Sequence, residues 1–203
     1  MSTATALPSP EEWKKERRNA IGASEVAAVL GLNKYVSAYD VWELKVGLRE
    51  EEPENERMYW GSKLEGVIAE EYAARTGAVL IDPGRYTIQR NPDYPWLACT
   101  LDRIIVDPLR GNAVLECKSV GFFSGKAFPS LPHQCQVQAQ LAVTGYGWGV
   151  LAALIGGQEF RHQEFVRDEE FIAKVLLPRT REFWERFVMT QTPPPRGWPQ
   201  EEA

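Results

Sequence analysis

Residues 96–119 read WLACTLDRIIVDPLRGNAVLECKS, and the fold turns on them. Two apolar arms, WLACTLDRIIV and AVLECKS, flank DPLRGN, whose Asp, Pro, Gly and Asn are turn residues, so the stretch predicts a β-hairpin. Alternate residues of a strand share a face, which puts Val114, Glu116 and Lys118 on one side and Leu115 and Cys117 on the other. A turn centred on Leu109 sets Asp102 directly opposite Glu116. Cross-strand neighbours have Cβ atoms about 5 Å apart, and two like charges so placed destabilise a sheet. A cation between them removes the conflict. Magnesium suits the position, because it takes one or two carboxylates, keeps several waters and leaves room for a phosphate. Such an ion polarises a phosphoryl oxygen and acidifies bound water. Lys118, on the same face, would orient or deprotonate that water or stabilise transition-state charge, and the Cys117 backbone carbonyl is a further candidate ligand. Alone, an ExK pair on a strand is the pattern of an exposed, salt-bridged face. Here the strand is otherwise apolar and an Asp stands at the matching place in the preceding arm, which strengthens the case for a reaction centre and leaves the salt-bridged face open beside it.

Working outward, AVLI at 78–81 and RYTIQR at 85–90 share the two-residue period, so residues 78–119 predict one sheet. Upstream, PEEWKKERRN at 10–19 is helix-prone, and Ser24 is placed to N-cap EVAAVLG, which Gly31 would close. A short helix is expected at 37–46, a solvated acidic loop over REEEPENER, and a long helix at 56–75 with Leu64, Ile68 and Tyr72 on one face and Gly77 as C-cap. Downstream, HQCQVQAQLAVTG predicts a helix, and WGVLAALIGG with QEFRHQEFVR a hairpin joined at Gly156 and Gly157. A last helix runs from Asp168 to about Met189, before the proline-rich TPPPRGWPQEEA, expected to be a loose tail. The expected organisation is one domain over 1–190 and a tail over 191–203.

The three cysteines, Cys99, Cys117 and Cys135, match neither a disulfide framework nor a CxxC metal motif and are expected reduced and buried. With two histidines, His133 and His162, a structural zinc site and a histidine-based nucleophilic triad lack their parts, so any metal should be bound by oxygen. A net charge of -5 excludes a surface basic everywhere, yet leaves room for a local basic patch beside clustered acids. No apolar run approaches the roughly 20 residues that cross a bilayer, and the N-terminus lacks the apolar core of a secretory signal, so no membrane association and a cytoplasmic location are expected.

The pattern D-(x)13-E-C-K in a hairpin, after a helix carrying GSKLE, resembles the PD-(D/E)xK nuclease core, and within it the YqaJ or lambda-exonuclease branch. RRNAIGASEVAAVLGLNKY resembles that branch's N-terminal signature, WGSKLEGVIAEEY its helical glutamate motif and QCQVQAQLAVTG its glutamine helix, over about residues 15–155. Leu101 stands where the superfamily name has proline. The resemblance implies an α/β, restriction-endonuclease-like fold with a central mixed sheet flanked by helices. It implies a Mg2+-dependent exonuclease, with Mn2+ able to substitute, that degrades one strand of linear double-stranded DNA 5'-to-3' to 5'-mononucleotides and leaves a 3' overhang. It further implies a single-strand annealing protein as partner, a homotrimer and a phage or prophage origin in a bacterial host.

Residue by residue, the resemblance carries the metal centre onto Asp102, Glu116 and, among Glu65, Glu70 and Glu71, onto Glu65. It carries 5'-phosphate binding onto Arg17 and Ser24, where a bidentate guanidinium and a helix N-terminus suit an anion. On the glutamine helix, Gln134 and Gln138 share one face and Gln136 and Gln140 another. Only one pair can face the site, and the motif favours Gln136, then Gln138. Lys126 is a possible DNA contact, while Phe122, Phe123 and the seven tryptophans, Trp60 and Trp184 included, read as packing. Other readings are an endonuclease or single-strand-specific nuclease of the superfamily, or an inactive DNA-end-binding scaffold. An iron–sulfur nuclease needs four cysteine ligands where three cysteines exist.

Overall fold

The computed structural model describes residues 2–50 and 53–199. In it the arm WLACTLDRIIV is two strands, β5 (Leu97–Cys99) and β6 (Arg103–Val106), in different sheets. β5 pairs antiparallel with β4 (Thr87–Arg90) and parallel with the two-residue β2 (Ile21–Gly22), and β1 (Thr3–Ala6) completes a four-stranded sheet in the order β1-β4-β5-β2. The expectation of one sheet over 78–119 is corrected accordingly. Alternation cannot distinguish one long strand from two short ones, and Leu97, Ala98 and Cys99 are all buried. The break between them, at residues 100–102, carries Asp102.

The second sheet has the order β3-β6-β7-β8-β9, with β3 (Val79–Ile81), β7 (Ala113–Val120), β8 (Trp148–Ile155) and β9 (Glu159–Val166). β6 and β7 pair Arg103 with Leu115, Ile104 with Val114 and Ile105 with Ala113, the register expected for a turn centred on Leu109. β7 and β8 run parallel while the other neighbours are antiparallel, so the sheet is mixed. β8 is apolar almost throughout, as suits a strand covered on both faces.

The covers are two helices. α4 (Glu56–Thr76) is capped by Asn55, whose side chain accepts from the Met58 N–H, and is stopped by Gly77 at φ +74, a left-handed conformation that disfavours any residue with a Cβ. Its Ile68, Ala69 and Tyr72 pack with Leu115, Cys117, Val150 and Ala152. α5 (Leu131–Thr144) ends at Gly145, φ +77, and sets Val137 and Leu141 against Val114 and Leu151 on the opposite face. Burying one such side chain fully contributes roughly 1.5–3 kcal/mol. The two strand faces of β7 are therefore held by different helices.

α1 (Pro10–Arg17), a 3-10 turn (Ala23–Glu25), the four-residue α2 (Val26–Val29) and α3 (Ala38–Lys45) make up the N-terminal part. Ser24 lies inside the 3-10 turn rather than at an N-cap. Gly22 takes the capping position, and its N–H donates to Glu25 Oε2 at 2.7 Å, because a glutamate three residues on reaches back to that amide. The acidic segment 49–57 is described except for Glu51 and Glu52, which lie outside the described residues.

After β9 a helical run of α6 (Glu169–Phe171), a π turn (Ile172–Leu176), α7 (Leu177–Phe183) and a second π turn (Trp184–Val188) closes the core. The segment after it is not loose where described: Trp198 stacks edge-on against Phe187, ring centroids 4.9 Å apart, and Pro194 is buried. Residues 200–203 lie outside the described residues. Cys99, Cys117 and Cys135 are free and buried.

Three aromatics expected to pack do not. Phe122 and Phe123 are 63% and 83% exposed because β7 has ended and the chain leaves the sheet, and Trp60 is 55% exposed on the first turns of α4, ahead of the helix's buried stretch. Among the described residues no helix is long and apolar enough to cross a membrane.

Candidate active site

The site forms where β7 loses its neighbour. β6 begins at Arg103, opposite Leu115, so from Glu116 onward that edge of β7 is open. Asp102, just before β6, fills the gap, and its Oδ2 accepts the Cys117 N–H at 2.7 Å. A strand residue directs its N–H and C=O to the same edge, so the Cys117 carbonyl faces the gap too.

Glu116 is 2% exposed. A carboxylate so buried persists only if paired and hydrogen-bonded. Gln136 Nε2 donates to its Oε1 and Gln140 Nε2 to its Oε2, each at 2.6 Å, and the Lys118 ammonium lies 2.6 Å from Oε1. Glu65 on α4 lines the same groove. Burial first, then the Glu116 charge, raises the Glu65 carboxyl above its ordinary range. Burial, then Glu116 and Glu65, push Asp102 well above the usual carboxylate range, against the pull of Lys118. For Lys118 burial opposes the charge, but Glu116 and then Asp102 more than offset it and hold the ammonium above its ordinary value.

The charge of Glu116 thus raises the proton affinity of both Asp102 and Glu65, and carboxylates so placed gain from a hard cation that takes oxygen donors. Among the described residues no group of three or more His, Cys, Asp or Glu side chains is gathered so as to hold a metal ion by itself.

The groove around these groups has a volume of about 860 Å³. Besides the acids, Lys118 and Gln136, it is lined by five cationic side chains, Lys14, Arg17, Lys63, Arg85 and Arg103, and by Ser24. Arg17 lies over the Trp13 ring at 4.6 Å, Lys63 over Tyr59 at 5.4 Å and Arg85 over Tyr86 at 5.8 Å. Cations interleaved with rings, of which Tyr59 is exposed and Trp13 and Tyr86 are partly buried, suit phosphates and bases of a nucleic-acid strand. Glu54 and Asp82 line the groove as well, 3.7 Å from Arg85 and 3.5 Å from Arg103, so the wall mixes both signs with cations in excess around an acidic centre.

The structure thus brings together Asp102, Glu116, Lys118, Glu65 and Gln136, with Arg17 and Ser24 on the same groove. It does not bring Gln138 there. Gln138 Nε2 donates to the Val166 carbonyl at 2.9 Å and its Oε1 accepts the Asp168 N–H at 2.9 Å, so it ties the end of β9 to α5. Replacing Gln138 with alanine should therefore destabilise the fold by about 1–3 kcal/mol through two unpartnered backbone groups, a loss that denaturant unfolding would register. Lys126 is also elsewhere: it is exposed on the 3-10 turn Ser124–Ala127, its ammonium 6.0 Å from the Phe123 ring.

Two residues near Glu116 are not among the expected site residues, although the sequence groups Gln140 with Gln136 on one helix face. Gln140 is four positions after Gln136, and choosing the one by helix geometry implies the other. His133 is three positions before it, its Nδ1 is buried without a hydrogen-bond partner, and burial followed by the Lys118 charge lowers its pKa, against the pull of Glu116.

Comparison with known proteins finds a matching family and similar folds. Residues 12–147 match the YqaJ-like viral recombinase domain. The uncharacterized protein YqaJ of Bacillus subtilis strain 168 is 35% identical over 188 residues, covering 89% of this chain, and the chain spans 57% of that protein's length. An alkaline exonuclease, LHK-Exo from Laribacter hongkongensis, superposes with a TM-score of 0.72 at 20% identity over 90% of this chain and 94% of that one. A phage-related exonuclease from Haemophilus somnus 129PT superposes at 0.61 and 11% identity, over 88% and 99%. At such identities the likeness is one of fold. It agrees with the α/β fold, a mixed sheet flanked by helices, that the resemblance implied.

Proposed function

The chain belongs to the YqaJ-like viral recombinase domain family, and on that footing we propose that it is a metal-dependent DNA exonuclease. The observation that carries this reading is the open edge of β7, where Asp102, Glu116 and Lys118 meet at a groove whose walls carry cations in excess. Asp102 and Glu116 would hold Mg2+, or Mn2+ in its place, with Glu65 and the Cys117 carbonyl as further donors. The bound ion supplies charge neutralisation and polarisation at the scissile phosphate.

The chain's own groups do the rest. Lys118 directs its N–H donors at the attacking water and at the phosphoryl oxygens, where charge develops in the transition state. Gln136 and Gln140 grip both oxygens of Glu116 and keep that carboxylate from turning away. Arg17 and Ser24 take the terminal 5'-phosphate of the strand. Ser24 draws little from a helix dipole, since the turn it occupies leads only into the four-residue α2. A guanidinium and a hydroxyl on one wall remain a sound pair of donors for a phosphate.

In this reading one strand of linear duplex DNA is removed 5'-to-3' as 5'-mononucleotides, leaving a 3' overhang for a single-strand annealing partner. LHK-Exo has been crystallised in complex with dAMP, which suits a mononucleotide product. A homotrimer, a cytoplasmic phage or prophage setting, a single nuclease domain over 1–190 and a peripheral DNA contact at Lys126 complete the proposal.

The test is digestion of end-labelled linear and covalently closed circular duplexes, with and without Mg2+. Metal-dependent release of the 5' label as mononucleotide, from linear DNA only, is the expected result. Cutting of the closed circle makes the protein an endonuclease, and unchanged DNA in every arm makes it a binding scaffold.

A further inference from the structure

Glu25 and Lys45 lie behind the groove wall, bonded to its Gly22 and Arg17, and have no part in the chemistry above. The Lys45 side chain, which comes from α3, is 3% exposed and contacts both Glu25 oxygens, Oε1 at 2.9 Å and Oε2 at 2.6 Å. The same ammonium donates to the Arg17 carbonyl at the end of α1 at 3.0 Å. Glu25 in turn holds the Gly22 N–H. A Cβ at Gly22 would stand 3.4 Å from Glu25 Oε2 and 3.8 Å from the Arg17 guanidinium, so the Glu25 carboxylate, the Arg17 head and the Gly22 backbone share one small volume next to Ser24.

Burying an ion pair costs both partners their hydration, and apolar residues of similar size often hold a fold as well. A wall meant for an anion has a specific need for this one. Behind it stands a carboxylate, Glu25, which on its own would repel a phosphate arriving at Arg17 and Ser24. Resting on the assignment of Arg17 and Ser24 to the terminal 5'-phosphate, we propose that Lys45 is a positioning residue that makes the groove selective for a phosphorylated 5' end. It cancels the Glu25 charge and ties the end of α1 to residues 22–25, so that Arg17, Glu25 and Lys45 together present net positive charge.

The test titrates the full chain, without divalent metal, against two fluorescent duplexes that differ only in a 5'-phosphate or a 5'-hydroxyl, and compares their dissociation constants. Wild type should prefer the phosphorylated end. Lys45→Met should shrink that preference at least about tenfold, the scale of one charge-assisted contact, and adding Glu25→Gln should restore it toward wild type. Glu25→Gln alone leaves the ammonium and should enlarge the preference, which reads the same charge balance even if Lys45→Met fails to fold. Equal loss of affinity for both ends, an unchanged preference, or no recovery in the double variant would reduce the pair to a structural role. A wild type indifferent to the phosphate overturns the earlier assignment of Arg17 and Ser24, and this inference with it.

Discussion

Lys118→Ala should lower the rate of metal-dependent DNA cleavage about a hundred- to a thousandfold, the cost of removing one preorganised donor from a reaction centre. The residue shares a face of β7 with Glu116 and is its only ion-pair partner among the described residues. In the proposed mechanism, truncating it would deprive the attacking water and the phosphoryl oxygens of their donor but leave the Gln136 and Gln140 grip on Glu116 and the cations of the groove wall in place. Single-turnover digestion of linear duplex measures the loss, and fluorescence anisotropy measures DNA binding, which should survive. Digestion at the wild-type rate would remove Lys118 from the mechanism. Loss of binding in parallel with loss of rate would instead make it a substrate anchor.

Asp102→Asn should abolish cleavage to a similar extent and, in metal-free buffer, make the protein more heat-resistant. The two effects have one cause. Burial and the charges of Glu116 and Glu65 hold the Asp102 carboxyl well above its ordinary range. An acid whose folded-state pKa exceeds its unfolded value favours folding fully below the unfolded pKa, and that contribution is lost as pH rises through the folded pKa. Above that point the ionised side chain strains the metal-free site. Asparagine keeps an oxygen for the Cys117 N–H and drops the charge. The melting temperature should rise by roughly 2–4 °C for each kcal/mol relieved, with the gain fading toward acid pH. Added Mg2+ should stabilise wild type and not the variant, because a ligand of the folded state alone raises its stability. Equal melting curves for the two proteins across neutral and acid pH, with equal responses to Mg2+, would show that Asp102 carries no such strain and holds no cation.

How much of this was legible beforehand depended on the range over which each feature is decided. The β6–β7 register was legible because turn residues and strand alternation are local, and together they set which residues face each other; Asp102 opposite Glu116 follows from them. The helix ends at Gly77 and Gly145 were legible for the same reason, since a left-handed cap is chosen by one residue. The split of residues 96–106 between two sheets was not legible, because alternation is the same whether a strand continues or crosses over, and the choice rests on distant partners such as Ile21 and Gln89. Helical periodicity grouped Gln136 with Gln140 but could not say which face of α5 meets the sheet. That was settled by Val166 and Asp168, which hold Gln138 at the far side.

The amino-acid sequence by itself therefore determined the chemical cast of this protein: oxygen donors and an amine on one hairpin, a glutamate and glutamines on neighbouring helices, and no thiol or imidazole set to compete. Only the tertiary structure decided which of them meet. The edge of β7 opens because β6 starts one residue after Asp102, and Lys45 reaches Glu25 and Arg17 because α3 folds back beside α1. Both outcomes depend on packing between segments far apart in the chain, which short-range periodicity does not encode.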